Sequence, residues 1–231
     1  MDLSKFLSED WSNYLTIAKD AFLPMVKTAL IGTIPLTIIT FILGLVLAFI
    51  TALFRLSGNK LLNGIARFYI SIIRGTPLLV QLFIIFYGLP TIGVTISPYI
   101  SAVIGFSLSV GAYASEIIRG SIQSIDKGQW EAAYSIGMTY NQTLKRIIIP
   151  QAARVSLPPL SNTFISLVKD TSLASLILVS EMFRTAQEIA VSNYKILLIY
   201  TEAALIYWVI CFFLSIIQER LEARVERYVA K

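Results

Sequence analysis

Uncharged apolar stretches divide the chain into candidate membrane spans. A helix that crosses a hydrocarbon core of about 30 Å needs roughly 20 mostly apolar residues. Residues 28–54 form the first such stretch. Residues 75–115 run without a charge for about twice that length, which predicts two helices, over about 68–88 and 98–118. Four turn-forming residues predict the break between these two helices: Gly88, Pro90, Gly93 and Pro98.

Two more spans follow in the second half of the chain. Residues 155–168 are uncharged, but as a helix they reach only about 21 Å, which is shorter than the hydrocarbon core. Lys169 and Asp170 interrupt the run before apolar residues resume. We therefore predict one span over about 155–180 that carries two opposite charges at membrane depth. A fifth span is predicted over 196–218.

Basic residues beside the spans predict the orientation, because cytoplasmic loops are enriched in Lys and Arg. Three basic segments are expected on the cytoplasmic side: Arg55, Lys60, Arg67 and Arg74; Arg119, Lys127, Lys145 and Arg146; and Arg220, Arg224, Arg227 and Lys231. The sequence thus predicts an all-α membrane protein of five transmembrane helices, with the N-terminus outside and the C-terminus inside. Its parts are an external segment (1–27), a transmembrane domain (28–218) and a cytoplasmic tail (219–231).

Composition excludes several classes of protein. The chain is 56% hydrophobic and 14% charged, whereas a soluble domain carries about 25% charged residues. It has no His, which excludes His-based hydrolase triads and His zinc sites, and its single Cys211 excludes a disulfide framework. It has no phosphate-binding GxxxxGK[ST] loop, so we expect no cofactor in this chain and no ATP site of that kind. The net charge of +5 comes from residues between apolar runs and predicts topology rather than nucleic-acid binding.

The cytoplasmic segment between spans three and four, about residues 120–150, contains a short helical pattern. Trp130, Ala133, Tyr134 and Gly137 fall at positions i, i+3, i+4 and i+7 and would form one apolar face. Such a helix either lies in the membrane interface or fits the groove of a partner protein. The pattern alone leaves both interpretations open.

Polar residues at membrane depth are candidates for a substrate pathway, because ionisable groups are costly there. Asn162, Thr163, Ser166 and Asp170 are spaced i, i+1, i+4 and i+8, which places them on one stripe of a helix. The stripe could receive the ammonium and carboxylate groups of a zwitterion. Alternatively, together with Lys169, it could form a structural network that joins span four to its neighbours.

Three other positions have local interpretations. Thr76-Pro77 precedes an apolar run and predicts a helix start. Gly111 is small enough for another helix, or a ligand, to approach closely. Glu202 is the only charge in span five and lies near its end, where water can reach it, so it is a weaker pathway candidate.

Several motifs resemble those of ABC importer permeases. Residues 128–137 (GQWEAAYSIG), followed after nine residues by 147–150 (IIIP), resemble the EAA loop, with Ile149 where that family usually has Leu. Other blocks, in the expected order, are similar to permeases of the polar amino-acid uptake family: 74–81 (RGTPLLVQ), 111–120 (GAYASEIIRG), 150–154 (PQAAR), Pro158 with Asn162, and 169–173 (KDTSL). Residues 181–184 (EMFR) and 187–190 (QEIA) resemble the cystine-transporting branch.

This resemblance implies a type I ABC importer permease fold in a bacterial cell membrane. It implies a non-enzymatic translocation subunit for a polar amino acid, with L-cystine as the best candidate. The implied partners are a second permease (an identical chain or a paralogue), two ATPase subunits that bind ATP, an extracytoplasmic binding protein and membrane lipid, but no nucleic acid. The resemblance implies that Glu131, Ala132, Ala133 and Gly137 of the EAA helix contact the ATPase. The periodic face adds Trp130 and Tyr134 to this predicted contact.

The substrate pathway predicted from polar residues at membrane depth and from the small Gly111 comprises six residues: Gly111, Asn162, Thr163, Ser166, Lys169 and Asp170. The alternative function is a self-sufficient channel or an ion-coupled secondary carrier with an incidental surface helix. That alternative predicts transport without nucleotide and an inverted repeat, and an odd number of spans does not favour two equal inverted halves.

Overall fold

A computed structural model describes residues 11–226, and within this range the chain is almost entirely helical, without strands. Short turns or a change of helical pitch separate ten α-helices in these described residues: α1 (Trp11–Thr28), α2 (Ile34–Leu56), α3 (Lys60–Gly75), α4 (Leu78–Phe83), α5 (Pro98–Gln123), α6 (Lys127–Ser135), α7 (Tyr140–Thr143), α8 (Ile149–Asp170), α9 (Met182–Asn193) and α10 (Ile196–Glu226). Single π-helical turns join α1 to α2 (Ala29–Thr33) and α7 to α8 (Leu144–Ile148), and another follows α4 (Ile84–Gly88). Two 3₁₀ segments complete the helical structure, Leu89–Ile92 and Thr171–Ile177.

The described helices account for up to five membrane spans. Three are long and apolar enough to cross a membrane by themselves: Asn13–Leu56, Pro98–Gln123 and Ile196–Arg224. Two more spans are possible if each of two bent helix pairs counts as one, namely Lys60–Gly75 with Leu78–Ile92 and Tyr140–Ile177 with Met182–Asn193. The third and fifth predicted spans lie within α5 and α10.

The first span is part of a much longer helix than the sequence pattern indicated. Asn13–Leu56 is 44 residues long, which corresponds to about 66 Å and exceeds twice the hydrocarbon thickness. Residues 11–27, assigned from the sequence to an external segment, form α1 and pack against α9 and α10. Residues 1–10 of that segment and residues 227–231 of the predicted tail lie outside the described range.

The second span is not the single helix over 68–88 that the sequence predicted. It is bent by 102° between α3 and α4. Thr76 and Pro77 both adopt extended backbone conformations. For Thr76 the cause is Pro77, because a residue before proline is disfavoured in the α region. The Gln81 side chain donates to the carbonyl of Ile73 at 2.8 Å, which satisfies an acceptor left open at the end of α3. The helix start predicted at Thr76-Pro77 is confirmed, since α4 begins at Leu78.

The fourth span also differs from the continuous helix predicted over 155–180. Helix α8 begins at Ile149 and ends at Asp170, where the chain tightens into the 3₁₀ segment. Leu178 then adopts a left-handed conformation with φ of 64° before α9 begins. Apolar composition cannot reveal this change of pitch, because α and 3₁₀ segments bury similar residue types.

Two cores hold the helices together. The central core contains Phe106 of α5 with Leu36 of α2 and Leu82 of α4, all fully buried. A second core joins α1, α9 and α10 through Met25, Met182 and Ile199. The central core lies beside the inner face of α8 and thereby positions the polar residues described below.

A close approach between the first long helix and the turn before α9 fixes the second core to the first. A Cβ atom on Gly32 would lie 2.7 Å from the carbonyl oxygen of Ser180 and 3.2 Å from the Cα of Glu181. Contacts that short require the backbone to move, and overpacking of this kind costs typically about 1–3 kcal/mol.

We expect Gly32→Ala to lower the thermal unfolding temperature of the purified protein in detergent. Gly120→Ala is the matched control, because a Cβ on Gly120 meets nothing within 4 Å and alanine is the better helix former. Equal unfolding temperatures for the two variants would show that the turn before α9 accommodates the methyl group without a loss of stability.

The orientation of the helices remains a prediction that cysteine labelling can test. Gly58 is exposed between α2 and α3, and Thr95 is exposed between spans two and three. Gly58 suits labelling better than Asn59, whose side chain caps α3 by accepting from Leu61 N and Leu62 N. In a Cys211→Ser background, we expect an impermeant maleimide to label Thr95→Cys in intact cells and Gly58→Cys only after permeabilisation. The reverse pattern would invert the predicted topology.

Candidate functional site

A polar cavity of about 690 Å³ lies between the corner of α3 and α4, the middle of α5 and the last turns of α8. Its volume is within the range of about 300–1,000 Å³ that is typical of small-molecule sites. Thirteen residues line it: Arg74, Leu78, Ser109, Val110, Tyr113, Glu116, Ile117, Asn162, Thr163, Ser166, Leu167, Asp170 and Leu173.

The stripe predicted on span four forms one wall of this cavity. Asn162, Thr163, Ser166 and Asp170 all line it. Thr163 donates to the carbonyl of Pro159 at 2.8 Å, and Asn162 accepts from Gln218 at 3.1 Å. The stripe is therefore brought together as its helical spacing predicted.

Asp170 is exposed to the open cavity rather than enclosed in the helix bundle. Among the residues that the structure describes, no cation lies within ion-pair distance of its carboxylate. Its neighbour Lys169 is also exposed but does not line the cavity, consistent with the divergence of about 100° between adjacent helical residues. The Asp170 carboxylate therefore remains available to a ligand.

A different wall of the cavity carries a cation, Arg74, that the sequence analysis assigned to topology and to the family-like block 74–81 but not to the substrate pathway. The Arg74 guanidinium lies 5.1 Å from the centre of the Tyr113 ring, within the usual range of a cation–π contact. Arg74 reaches the cavity because the chain turns at Thr76 and Pro77, directly after α3. Two sequence signals were present for this residue, its position before a Thr-Pro break and its place at the start of the block 74–81.

Glu116 also lines the cavity, but its charge is already paired. Arg119 contacts it at 2.7 Å and Arg55 at 3.3 Å, and Arg55 also donates to Asn63 at 3.0 Å. Within the described residues, the cavity therefore presents one cation without a carboxylate partner, Arg74, and one unpaired carboxylate on a different wall. This arrangement complements a zwitterion.

Two other candidate residues of the substrate pathway, Gly111 and Glu202, lie away from this cavity. Gly111 is buried where α5 crosses its neighbours: a Cβ there would lie 2.6 Å from Tyr69 Oη and 2.8 Å from Leu47 Cδ2. It is therefore a helix-packing position. Glu202 lines a separate apolar pocket between α1 and α10.

The EAA segment forms the short helix α6. Asp126 caps it by accepting from Gly128 N at 2.7 Å. Ala133 is buried, and the Trp130 ring stacks on Tyr140 with ring centres 5.5 Å apart. Trp130 packs against a third apolar cluster that includes Ile148, so part of the predicted apolar face contacts this chain itself.

The outward face of α6 carries the remaining EAA residues. Glu131, Ala132 and Tyr134 are exposed, and Ile136, which the sequence pattern did not single out, is 76% exposed. Gly137 follows the helix with φ of 82°. The six residues expected to contact a partner therefore divide into an outward group and an inward group, Trp130 and Ala133.

Glu181 is a buried carboxylate whose role sequence reasoning missed. It caps α9 by accepting from Arg184 N at 2.7 Å, and it also accepts from Tyr207 Oη at 3.0 Å and Thr33 Oγ1 at 3.4 Å. It thereby joins the π-helical turn after α1 to α9 and α10. The sequence analysis used Glu181 only as part of the block 181–184 (EMFR), and its position after an apolar run did not indicate its burial.

Known proteins similar to this chain are membrane transport components. Residues 42–227 match the family described as binding-protein-dependent transport system inner membrane component. The chain is 62% identical over 216 residues, 93% of its length and 92% of the relative's, to the L-cystine transport system permease protein TcyB of Bacillus subtilis (strain 168). It is 42% identical over 197 residues, 85% of this chain and 87% of the relative, to the probable amino-acid ABC transporter permease protein YckA of the same organism. The crystal structure of an amino acid ABC transporter with histidines matches with a TM-score of 0.87 at 34% identity, covering 93% of this chain and 100% of that one.

Proposed function

Because this chain belongs to the family of binding-protein-dependent transport system inner membrane components, we propose that it is the translocation subunit through which an ATP-driven importer carries L-cystine. It is a multi-pass protein of the bacterial inner membrane and a member of a transport family rather than an enzyme family. In the proposed complex a separate subunit binds and hydrolyses ATP, and this chain holds no cofactor of its own.

The charged and polar residues that line the cavity support the proposal that the substrate is an amino acid. An α-ammonium group would bind the unpaired Asp170 carboxylate, and an α-carboxylate would bind Arg74, which lines the cavity from a different helix. Asn162, Thr163 and Ser166 add hydrogen-bonding groups between these charges. Gly111 belongs to the pathway only indirectly, because it allows the close helix packing of α5. Lys169 is also indirect, because it stands beside Asp170 but does not line the cavity.

L-cystine is the proposed substrate because the relative that is 62% identical is an L-cystine permease and the match covers more than nine-tenths of both chains. The residues that the cavity provides do not by themselves distinguish one zwitterion from another. The substrate assignment therefore rests on that relative, and the amino-acid class rests on the cavity.

The proposed partners follow from surfaces that the chain leaves open. The cavity opens to the surface of this single chain, and a second permease, identical or paralogous, would complete the pathway there. The outward face of α6, with Glu131, Ala132, Tyr134 and Ile136, would dock into an ATPase subunit. One ATPase for each permease gives two, and a binding protein would deliver substrate from outside.

ATP can drive import only if the ATPases bind the alternating conformations of the permease with different affinities. In the proposed mechanism, closure of the nucleotide-bound ATPases moves α6, and α6 transmits this movement to α8 through the Trp130 cluster. Because α8 carries the polar stripe, the cavity would then open to the other side of the membrane.

Uptake by the reconstituted complex tests this function. We expect radiolabelled L-cystine to accumulate in proteoliposomes only when ATP, the ATPase and the binding protein are all present. A panel of labelled amino acids would identify any other substrate. Uptake by this chain alone without nucleotide would instead establish the channel or secondary-carrier function.

A further inference from the structure

Helix α3 carries two exposed faces of different chemistry. Ala66 and Ile70 are buried against the bundle. On the side away from them lies an exposed apolar stripe, with Leu61 70% and Phe68 69% exposed. Four residues spaced by three or four positions form this stripe: Leu61, Ile65, Phe68 and Ile72. A basic notch borders the stripe at the start of the helix.

The basic notch is a polar depression of about 320 Å³ lined by six residues: Ser57, Gly58, Lys60, Asn63, Gly64 and Arg67. Lys60 and Arg67 are seven residues apart, nearly two helical turns, and therefore lie on the same face of α3. No carboxylate lies within 4 Å of either side chain in residues 11–226. The notch therefore holds two cations that are free to bind an anion.

Other polar groups of the notch already have partners. Asn63 accepts from Arg55 and donates to its carbonyl, and the first amides of α3 are occupied by the Asn59 side chain. An anion in the notch would therefore be held by the Lys60 and Arg67 side chains rather than by the helix terminus.

We propose that the notch and the apolar stripe together form a binding site for an anionic phospholipid of the cytoplasmic leaflet. The phosphate would lie between Lys60 and Arg67, and an acyl chain would run along the stripe. Amphipathic helices with basic flanks bind anionic membrane surfaces in this way.

Charge favours a lipid over a second copy of this chain as the occupant. A symmetric contact through the stripe would use the same patch on both subunits and would add a second Lys60–Arg67 pair without supplying an anion. Like charges repel, whereas a phospholipid supplies both the missing anion and an apolar surface. The predicted orientation also places the notch on the cytoplasmic side, where anionic lipid attracts basic segments.

Native mass spectrometry of the full-length protein, titrated with dioleoyl phosphatidylglycerol or dioleoyl phosphatidylcholine, tests the site. We expect preferential binding of phosphatidylglycerol and a loss of about 30-fold in its affinity in the Lys60→Gln/Arg67→Gln variant, given about 1 kcal/mol for each cation. Lys145→Gln/Arg146→Gln removes another exposed basic pair and should leave the affinity unchanged. Lys60→Arg/Arg67→Lys keeps both charges and should also bind normally.

Further variants and competitors separate the sources of the anion. Phe68→Ser should weaken binding of the lipid, while inorganic phosphate should not displace it, because the acyl chain contributes to affinity. Full displacement by phosphate would overturn the lipid assignment in favour of a simple anion site. Equal affinity in the Lys60→Gln/Arg67→Gln variant, or loss of dimer or ATPase from that variant without loss of lipid, would also overturn it.

Discussion

Asp170→Asn is expected to reduce ATP-dependent uptake of L-cystine by about tenfold or more. The substitution keeps the shape of the side chain but removes the charge that would bind the substrate ammonium. A hydrogen bond to a charged group contributes about 1.5–3 kcal/mol, which corresponds to roughly 10- to 100-fold in affinity. Because Asp170 has no ion-pair partner within the described residues, its removal leaves no buried cation behind. We therefore expect normal membrane levels, assembly with the ATPase and ATP hydrolysis.

Glu202→Gln is the matched control for this experiment, since it also neutralises a carboxylate in a predicted span. Glu202 lies in an apolar pocket between α1 and α10, away from the polar cavity, and its neutralisation should leave uptake unchanged. Normal uptake by Asp170→Asn would show that the carboxylate is dispensable for substrate binding. Failure of Asp170→Asn to assemble would show that its role is structural.

The polar stripe shows how far sequence reasoning reaches in this protein. Asn162, Thr163, Ser166 and Asp170 were grouped by helical spacing alone, and they line one cavity because α8 is regular across all four positions. The predicted fold class, an all-α membrane protein of type I ABC importer permease architecture, is confirmed by the family and by the matching structure. In a regular helix the spacing of residues along the sequence determines which residues share a face. Spacing patterns within such helices therefore predict reliably which side chains lie together.

The remaining features of the site depend on breaks in the helices, which spacing does not describe. Arg74 faces the cavity only because of the turn at Thr76 and Pro77. Glu181 is buried because Tyr207 and Thr33, distant in sequence, meet it. Neither contact leaves a periodic signal, since each joins segments whose relative position is set by packing.

Helix α6 illustrates another limit of prediction from the sequence. Its periodicity indicated an apolar face of four residues, of which Trp130 and Ala133 face the chain, whereas Tyr134 is exposed and Gly137 lies beyond the helix. Trp130 and Ala133 face this chain, Trp130 against the cluster that includes Ile148, whereas Glu131, Ala132 and Tyr134 remain exposed. The second group is therefore the surface that the proposed ATPase contact would use, and the first group holds α6 against the rest of the chain.

Gly137→Glu is expected to abolish transport and association with the ATPase while the protein still accumulates in the membrane. Gly137 ends α6 in a Schellman motif, in which Met138 N donates to Ala133 O at 3.1 Å and Gly137 N donates to Tyr134 O at 2.9 Å. Its φ of 82° lies in the left-handed region, which costs about 1–2 kcal/mol for a residue with a Cβ. The strain would disturb the last turn of α6, and the added carboxylate would stand beside the exposed docking face.

Gly137→Asn separates backbone conformation from the mere presence of a side chain, because asparagine tolerates the left-handed region best after glycine. No atom of the described structure lies within 4 Å of a Cβ built on Gly137, so neither substitution creates a clash within the chain. We expect co-purification with the ATPase and uptake to be largely retained in Gly137→Asn and lost in Gly137→Glu. If both variants retain the ATPase at wild-type yield, the outward face of α6 is not the docking surface. If both lose it, contact at position 137 itself, rather than the conformation of the helix end, determines docking.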